Sequence, residues 1–247
     1  MRESRTQKSF LPKPEFERLA FDEQIQRTVT ALESNNIRTF LAHTGREAKL
    51  RVLDLLPLGA EVFTATSKTL EDIGVVDEIS GSGHYVPLRS KISELDRKHQ
   101  EHQIRLIAAT PDYVVGSVHA ITERGEIMIA STSGTQLASY SSGARILIWV
   151  ASTTKIVKDL GEGFRRIEEY AYPLEDARTR KAHNRSSDVN KVLIVNIRRD
   201  ENEDDAHPCA GKVGILGTSS QSQNVKRVTQ GPEVSVAIGI SPSRTER

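Results

Sequence analysis

PDYVVGSVHAITERGEIMIASTSGTQ, residues 111–136, is the stretch on which the reading of this chain turns. It holds an apolar strand (Tyr113–Val115), a Gly116-Ser117 turn, a carboxylate at Glu123 with Gly125 beside it, a second apolar strand (Ile127–Ala130) and a loop of small hydroxylated residues closed by Gly134. Short runs of β-branched residues bounded by Gly, Ser or Thr read as buried strands. Crevices at the carboxyl ends of such strands are where α/β sheets hold ligands. An anionic or carbonyl-bearing small molecule beside Glu123 is therefore expected.

Outward from this stretch, helix and strand patterns alternate. Leu19, Ile25, Val29 and Leu32 recur at helical spacing between Glu15 and Asn35, followed by a short strand at Ile37–Ala42. Thr44 with Glu47 three residues later is a capping-box pattern for a helix through Leu56. The strand Glu61–Thr64 feeds Thr66-Ser67-Lys68-Thr69, a hydroxyl-rich helix start whose free backbone N–H groups suit a phosphate or carboxylate, or which is an ordinary cap. A helical stripe runs from Ile92 to about Ala109; its His99 and His102 read as solvated flank residues, so no metal is expected. Beyond the central stretch come an apolar strand at Arg145–Val150, a helix capped by Thr153 or Thr154 and running through Tyr170, a break at Pro173, more helix to His183, and a last strand at Val192–Ile197. Only the strands at 113–118 and 127–131 have no helix between them. The fold class expected is α/β, a Rossmann-like, mostly parallel sheet with helices on both faces.

Three segments follow from composition. Residues 1–14 read as a disordered lead, 15–198 as the α/β domain, and 199–247 as a poorly ordered tail opening with the charge run RRDENEDDAHP (198–208), in which Val234–Ile240 could form one short strand. With 34 basic and 33 acidic residues the net charge is +1, so no global field draws in nucleic acid or a membrane. Cys209 is the only cysteine, which excludes an intrachain disulfide or an iron–sulfur site and points to a reducing, cytoplasmic compartment. MRESRTQKSF has no apolar core of a secretory signal. No G-x-G-x-x-G follows a strand, so no nicotinamide or other cofactor is expected.

ATSKTLEDIG (65–74), DYVVGSVHAITERGEIMIAS (112–131), ARILIWVASTTKIVKDLGEGFRRIEEYAYPLEDARTRKAH (144–183) and SDVNKVLIVN (187–196) together resemble the LUD domain, the domain of lactate-utilisation protein C. The resemblance covers about 15–197 and implies a fold like that of the ribose-phosphate isomerase and CoA-transferase group. It also implies a small anionic metabolite as partner, and work alongside the iron–sulfur oxidase subunits of a lactate-utilisation complex. This chain would be the cluster-free member. The resemblance further implies a closing apolar strand where this chain has its acidic run, and a sheet edge left open there would favour a homodimer.

Mapped onto the matching motifs, Thr66, Ser67 and Thr69 would form one wall of the site and Gly116 with Ser117 another. Ser131, Ser133 and Gly134 would close it near Gly125, and Glu123 would be the catalytic carboxylate, or else a turn cap paired with Arg124 or Lys155. Lys155, at the start of a helix after a strand, would meet the anion or be a surface lysine. His119 would be a proton donor or a packing residue. Three readings stay open: a metabolite-binding protein accessory to lactate or organic-acid utilisation, an isomerase or acyl/CoA-transfer enzyme using Glu123, and a ligand-sensing or assembly subunit without catalysis.

Overall fold

The computed structural model describes residues 11–96, 98–196, 212–216 and 236–239, the last two segments as backbone. In chain order it contains α1 (Asp22–Ser34), β1 (Arg38–Leu41), α2 (Gly45–Asp54), β2 (Glu61–Thr64), α3 (Lys68–Asp72), α4 (Val75–Gly81), β3 (Val86–Pro87), α5 (Leu88–Glu94) and α6 (Glu101–Ala109). There follow β4 (Tyr113–Gly116), β5 (Ala120–Thr122), β6 (Ile127–Ser131), β7 (Ile146–Ala151), β8 (Ile156–Val157), α7 (Leu160–Arg166), α8 (Tyr172–His183), β9 (Lys191–Val195), β10 (Lys212–Leu216) and β11 (Val236–Gly239).

Seven strands form a mostly parallel sheet in the order β1-β11-β10-β7-β4-β2-β3, in which β11 is antiparallel to its neighbours. The central strands are apolar on both faces because both faces are covered. Along β4, Tyr113 and Val115 point one way and Val114 the other; along β7, Ile148 and Val150 oppose Leu147 and Trp149. Tyr113, Val115, Ile148 and Val150 pack on Ala48 and Val52 of α2, Leu70 of α3, and Val75 and Ile79 of α4. The opposite face packs on Ile25 and Leu32 of α1 and on a second sheet.

That second sheet, β8-β5-β6-β9, differs from the expected architecture. β4 belongs to the large sheet, while β5 and β6 form a hairpin in the small one. β9, expected as the last parallel strand, runs antiparallel to β6 instead. Two-residue pairings and a three-residue strand leave too short a period-2 pattern to read. Within β6, Ile127 and Ile129 face the large sheet, and Met128 and Ala130 pack with Ile167 on the other side. The α7 face that meets this layer carries Gly163, where an added Cβ would lie 2.2 Å from Met128 Sδ. Phe164, next to it on the helix, is turned outward and 40% exposed.

The helix Leu160–His183 does not break at Pro173. It widens into a π-turn at Ile167–Ala171 just before the proline, which relieves the clash a proline ring makes with the carbonyl four residues earlier. The expected open edge beside β7 is filled, since β10 lies parallel to it with Val213 opposite Ile148. The expected tail thus supplies two strands, and the remainder of 197–247, Cys209 included, lies outside the described residues, as do 1–10 of the lead.

Gly116 ends β4 where backbone meets the ring of Tyr140. An added Cβ would sit 1.8 Å from the Tyr140 hydroxyl, which accepts a hydrogen bond from Ser117 N at 3.2 Å. Tyr140 is only 1% exposed and rests edge-on against Trp149, so the ring has nowhere to go. Gly116→Ala is expected to destabilise the fold by roughly 3 kcal/mol, the upper end of overpacking costs. Urea denaturation checks it; a loss below about 1 kcal/mol would show that the ring yields.

Candidate functional site

The chain crosses from the large sheet to the small one twice, at Ser117–His119 between β4 and β5 and at Ser152–Lys155 between β7 and β8. Both crossings leave from carboxyl ends of neighbouring parallel strands, and the next strand over, β2, ends in Ala65, Thr66 and Ser67 before α3. Strand ends at such a position are where open α/β sheets gather ligand-binding groups.

Lys155 sits on the second crossing. Ser152 accepts from Thr154 N at 3.2 Å and so caps a single 3₁₀ turn, Thr153–Lys155, rather than the start of a long helix; Asp159 caps that helix further on. The tight turn directs the lysine inward. Its Nζ donates to Ser117 Oγ at 2.8 Å and to Thr69 Oγ1 at 3.0 Å, joining groups from the ends of β7, β4 and β2. Ser117 Oγ donates a hydrogen bond to the Val150 carbonyl, which leaves its lone pairs to the amine. Burial, and then the Arg166 guanidinium, pull the amine down to about 7.

Arg166 is 3% exposed. It donates to the Thr154 carbonyl at 3.0 Å and to the His119 carbonyl, so it clamps both crossings to the helix. Burial lowers its pKa to about 10, and it stays charged at neutral pH. Among the described residues neither Lys155 nor Arg166 has a carboxylate in ion-pair range. Two adjacent, largely desolvated cations without a counter-charge are an unbalanced arrangement that an anion would complete.

His119 adjoins this pair and lines a cavity of about 710 Å³ whose wall does not include Lys155, Arg166, Ser117 or Thr69, so the imidazole is where the cavity meets the cation pair. Its Nδ1 accepts from Ala130 N at 3.1 Å. Burial first, then the charges of Lys155 and Arg166, push the imidazole down to about 3, so it is neutral at any physiological pH. The other walls come from Phe63, Ala65 and Thr66 after β2, Arg89 and Ile92 of α5, Ile104 of α6, the loop Ser131–Gln136, and α8 through Glu175 and Arg178. Arg89 donates to Thr66 Oγ1 at 2.7 Å, whereas Arg178 is occupied by Glu175. Among the described residues no group of three or more His, Cys, Asp or Glu could hold a metal ion.

The residues expected at the site therefore divide. Thr69, Ser117 and Lys155 are joined by hydrogen bonds; Thr66, Ser131 and Ser133 line the cavity. Ser67 occupies the cap position of α3 without making a side-chain cap bond. Gly134, at φ +82°, lets the 131–135 loop turn; an added Cβ would lie 2.8 Å from Cδ of the exposed Lys191 side chain, which can move, so it is the positive φ that calls for glycine. Gly116 is needed for the approach of Tyr140.

Glu123 lies elsewhere. It sits at the tip of the β5–β6 hairpin, where its carboxylate accepts from Arg27 Nε at 2.8 Å and Gln24 Nε2 at 2.9 Å of α1. Gly125 takes φ +82° in the same tip, against the end of α1, and Asn35 Nδ2 donates to its carbonyl at 3.4 Å. Glu123 is not part of the cavity wall, and its partner is Arg27 rather than Arg124 or Lys155. Partial burial would raise its pKa, but the bonds from Arg27 and Gln24 outweigh that and hold it below the usual carboxylate range. A paired carboxylate of lowered basicity pins the hairpin to α1; it is poorly suited to proton abstraction. Glu123→Gln is expected to cost about 1 kcal/mol of stability and leave ligand affinity unchanged within twofold. Titration calorimetry on the variant checks this.

What sequence reasoning missed is Arg166 and Arg89. Arg166 was hidden in a helix of alternating charge, and no local signal marks it as buried. A family model described as LUD domain matches residues 25–190. The fold is similar to that of a DUF162 family protein from Deinococcus radiodurans, at 10% identity and TM-score 0.44, over 72% of this chain and 89% of that one. It is also similar to eIF2B delta from Chaetomium thermophilum, at 13% identity and TM-score 0.29, over 59% of this chain and 57% of that one. No curated protein matches the sequence.

Proposed function

Because the chain belongs to the LUD domain family, we propose that it binds a small anionic metabolite, a carboxylate or a phosphate, at the strand ends beside Lys155 and Arg166, in a role accessory to lactate or organic-acid utilisation. The observation that carries this reading is the pair of cations, one half-buried and one fully buried, with no carboxylate among the described residues to balance them. An anion would keep Lys155 protonated and recover the cost of holding both charges out of water. The Thr69 hydroxyl, which accepts from the amine, keeps a proton to donate to a carboxylate or phosphate, whereas the Ser117 proton is spent on the Val150 carbonyl and its oxygen serves to hold the amine in place. The family supports the pathway; the geometry supports the anion.

Thermal denaturation with lactate, pyruvate, sugar phosphates and acyl-CoAs at millimolar concentration tests the proposal. A ligand at 100 times its Kd stabilises by about 2.7 kcal/mol, a rise in Tm on the order of 5–10 °C for a chain this size. Equal melting with and without every anion, from pH 6 to 8, would overturn it.

A further inference from the structure

We infer that the cavity takes an acid or oxo acid with a body longer than three carbons, whose carbonyl or carboxylate oxygen accepts a hydrogen bond from His119 Nε2. The inference deepens the anion-binding reading and rests on it. Its geometric basis is the backbone N–H of Ala130, which donates to Nδ1 at 3.1 Å. A ring nitrogen that accepts carries a lone pair, so in the neutral imidazole the proton must sit on Nε2. Nε2 makes no hydrogen bond among the described residues, and it is not among their buried side-chain atoms without a partner. The residue lines the cavity, so this N–H is open to it.

The charged groups packed about the ring, Lys155 and Arg166, are both cationic and oppose a second proton on it. The ring therefore presents a donor of fixed direction and no charge, which suits an oxygen acceptor and is indifferent to its ionisation. Its carbonyl is held by Arg166 and its ring by Ala130, so the donor cannot swing away. The size of the ligand follows from the space. A cavity of about 710 Å³ falls within the roughly 300–1,000 Å³ of sites that enclose drug-sized molecules. A three-carbon acid would leave most of it to water. Ile92, Ile104, Ala108 and Ile167 offer an apolar surface for the remainder, and Arg89 stands on the same wall with no carboxylate in ion-pair range among the described residues.

The test is a calorimetric titration with straight-chain carboxylates and 2-oxo acids from three to eight carbons, on the full chain and on His119→Gln and His119→Phe. Affinity should rise about fourfold per added methylene until the cavity is full. His119→Gln keeps an acceptor for Ala130 and a neutral donor, and should bind within threefold of wild type; His119→Phe should lose tenfold or more. Long-range ¹H–¹⁵N spectra should show the Nε2–H tautomer, unchanged from pH 8 to pH 5, a readout that does not need either variant to fold. Flat affinity across the series, full binding by His119→Phe, or an Nδ1–H tautomer would each overturn the inference. If acids bind in a Lys155-dependent way under any of these outcomes, the anion site itself survives. If no acid binds, both fall.

Discussion

Replacing Arg166 by alanine is expected to lower stability by about 3 kcal/mol and to raise the pKa of Lys155. Two effects oppose each other. Removing the guanidinium leaves the carbonyls of Thr154 and His119 without this donor, at about 1–3 kcal/mol each, and opens a cavity under the helix. It also relieves the burial of an unbalanced cation, which favours the variant. The orphaned carbonyls and the void should win, because the charge is already partly compensated by those same bonds and by the ring of Tyr170, 5.0 Å from the guanidinium carbon. The Lys155 shift is the sharper readout. After burial, it is the Arg166 charge that lowers the amine's pKa, so ¹³C-methyl-lysine titration should find its midpoint moved above about 7. An unmoved midpoint would mean that Arg166 does not act on the amine.

Lys155→Met should separate binding from stability. With the amine near 7 in the folded chain and about 10.4 in the unfolded one, the unfolded chain carries the extra proton between those values. Wild-type stability should therefore rise as pH increases from about 7 towards 10, by up to about 1.4 kcal/mol per unit, and be lowest below pH 7. The methionine variant should lack this rise and be more stable than wild type at pH 6, while losing ligand-induced stabilisation altogether. In wild type, anion affinity should fall as the amine deprotonates through about 7. A variant that is less stable at every pH but still binds would refute the role given to Lys155. A site that costs stability in order to hold a ligand is a common compromise.

The parallel sheet was legible because YVVG and ILIWVA are short, β-branched, continuous apolar runs between turn residues, the pattern of strands buried on both faces. The hydroxyls beyond the strand ends were legible for the same reason: Ser117 follows directly on β4, and Thr69 stands in the first turn of α3, the helix that comes after β2. Glu123 misled because a carboxylate between two strands looks alike whether it faces a crevice or a helix. The residue that decides, Arg27, is 96 positions away. Lys155 was placed in the right turn, but its inward course depends on Ser152 closing a 3₁₀ turn, a choice that local sequence leaves undetermined between the three hydroxyls 152–154. His119 could not be oriented at all from sequence, since its tautomer is set by a backbone N–H eleven residues on.

β10 lies between strands made long before it, with Val213 opposite both Ile148 and Arg38. During synthesis β1 leaves the ribosome early and must wait for nearly the whole chain before its parallel neighbour exists. Closure of loops this long is slow, and the waiting strands are exposed to wrong partners meanwhile. Yield from a nascent chain should thus be governed by chaperone occupancy and elongation speed more than by native stability.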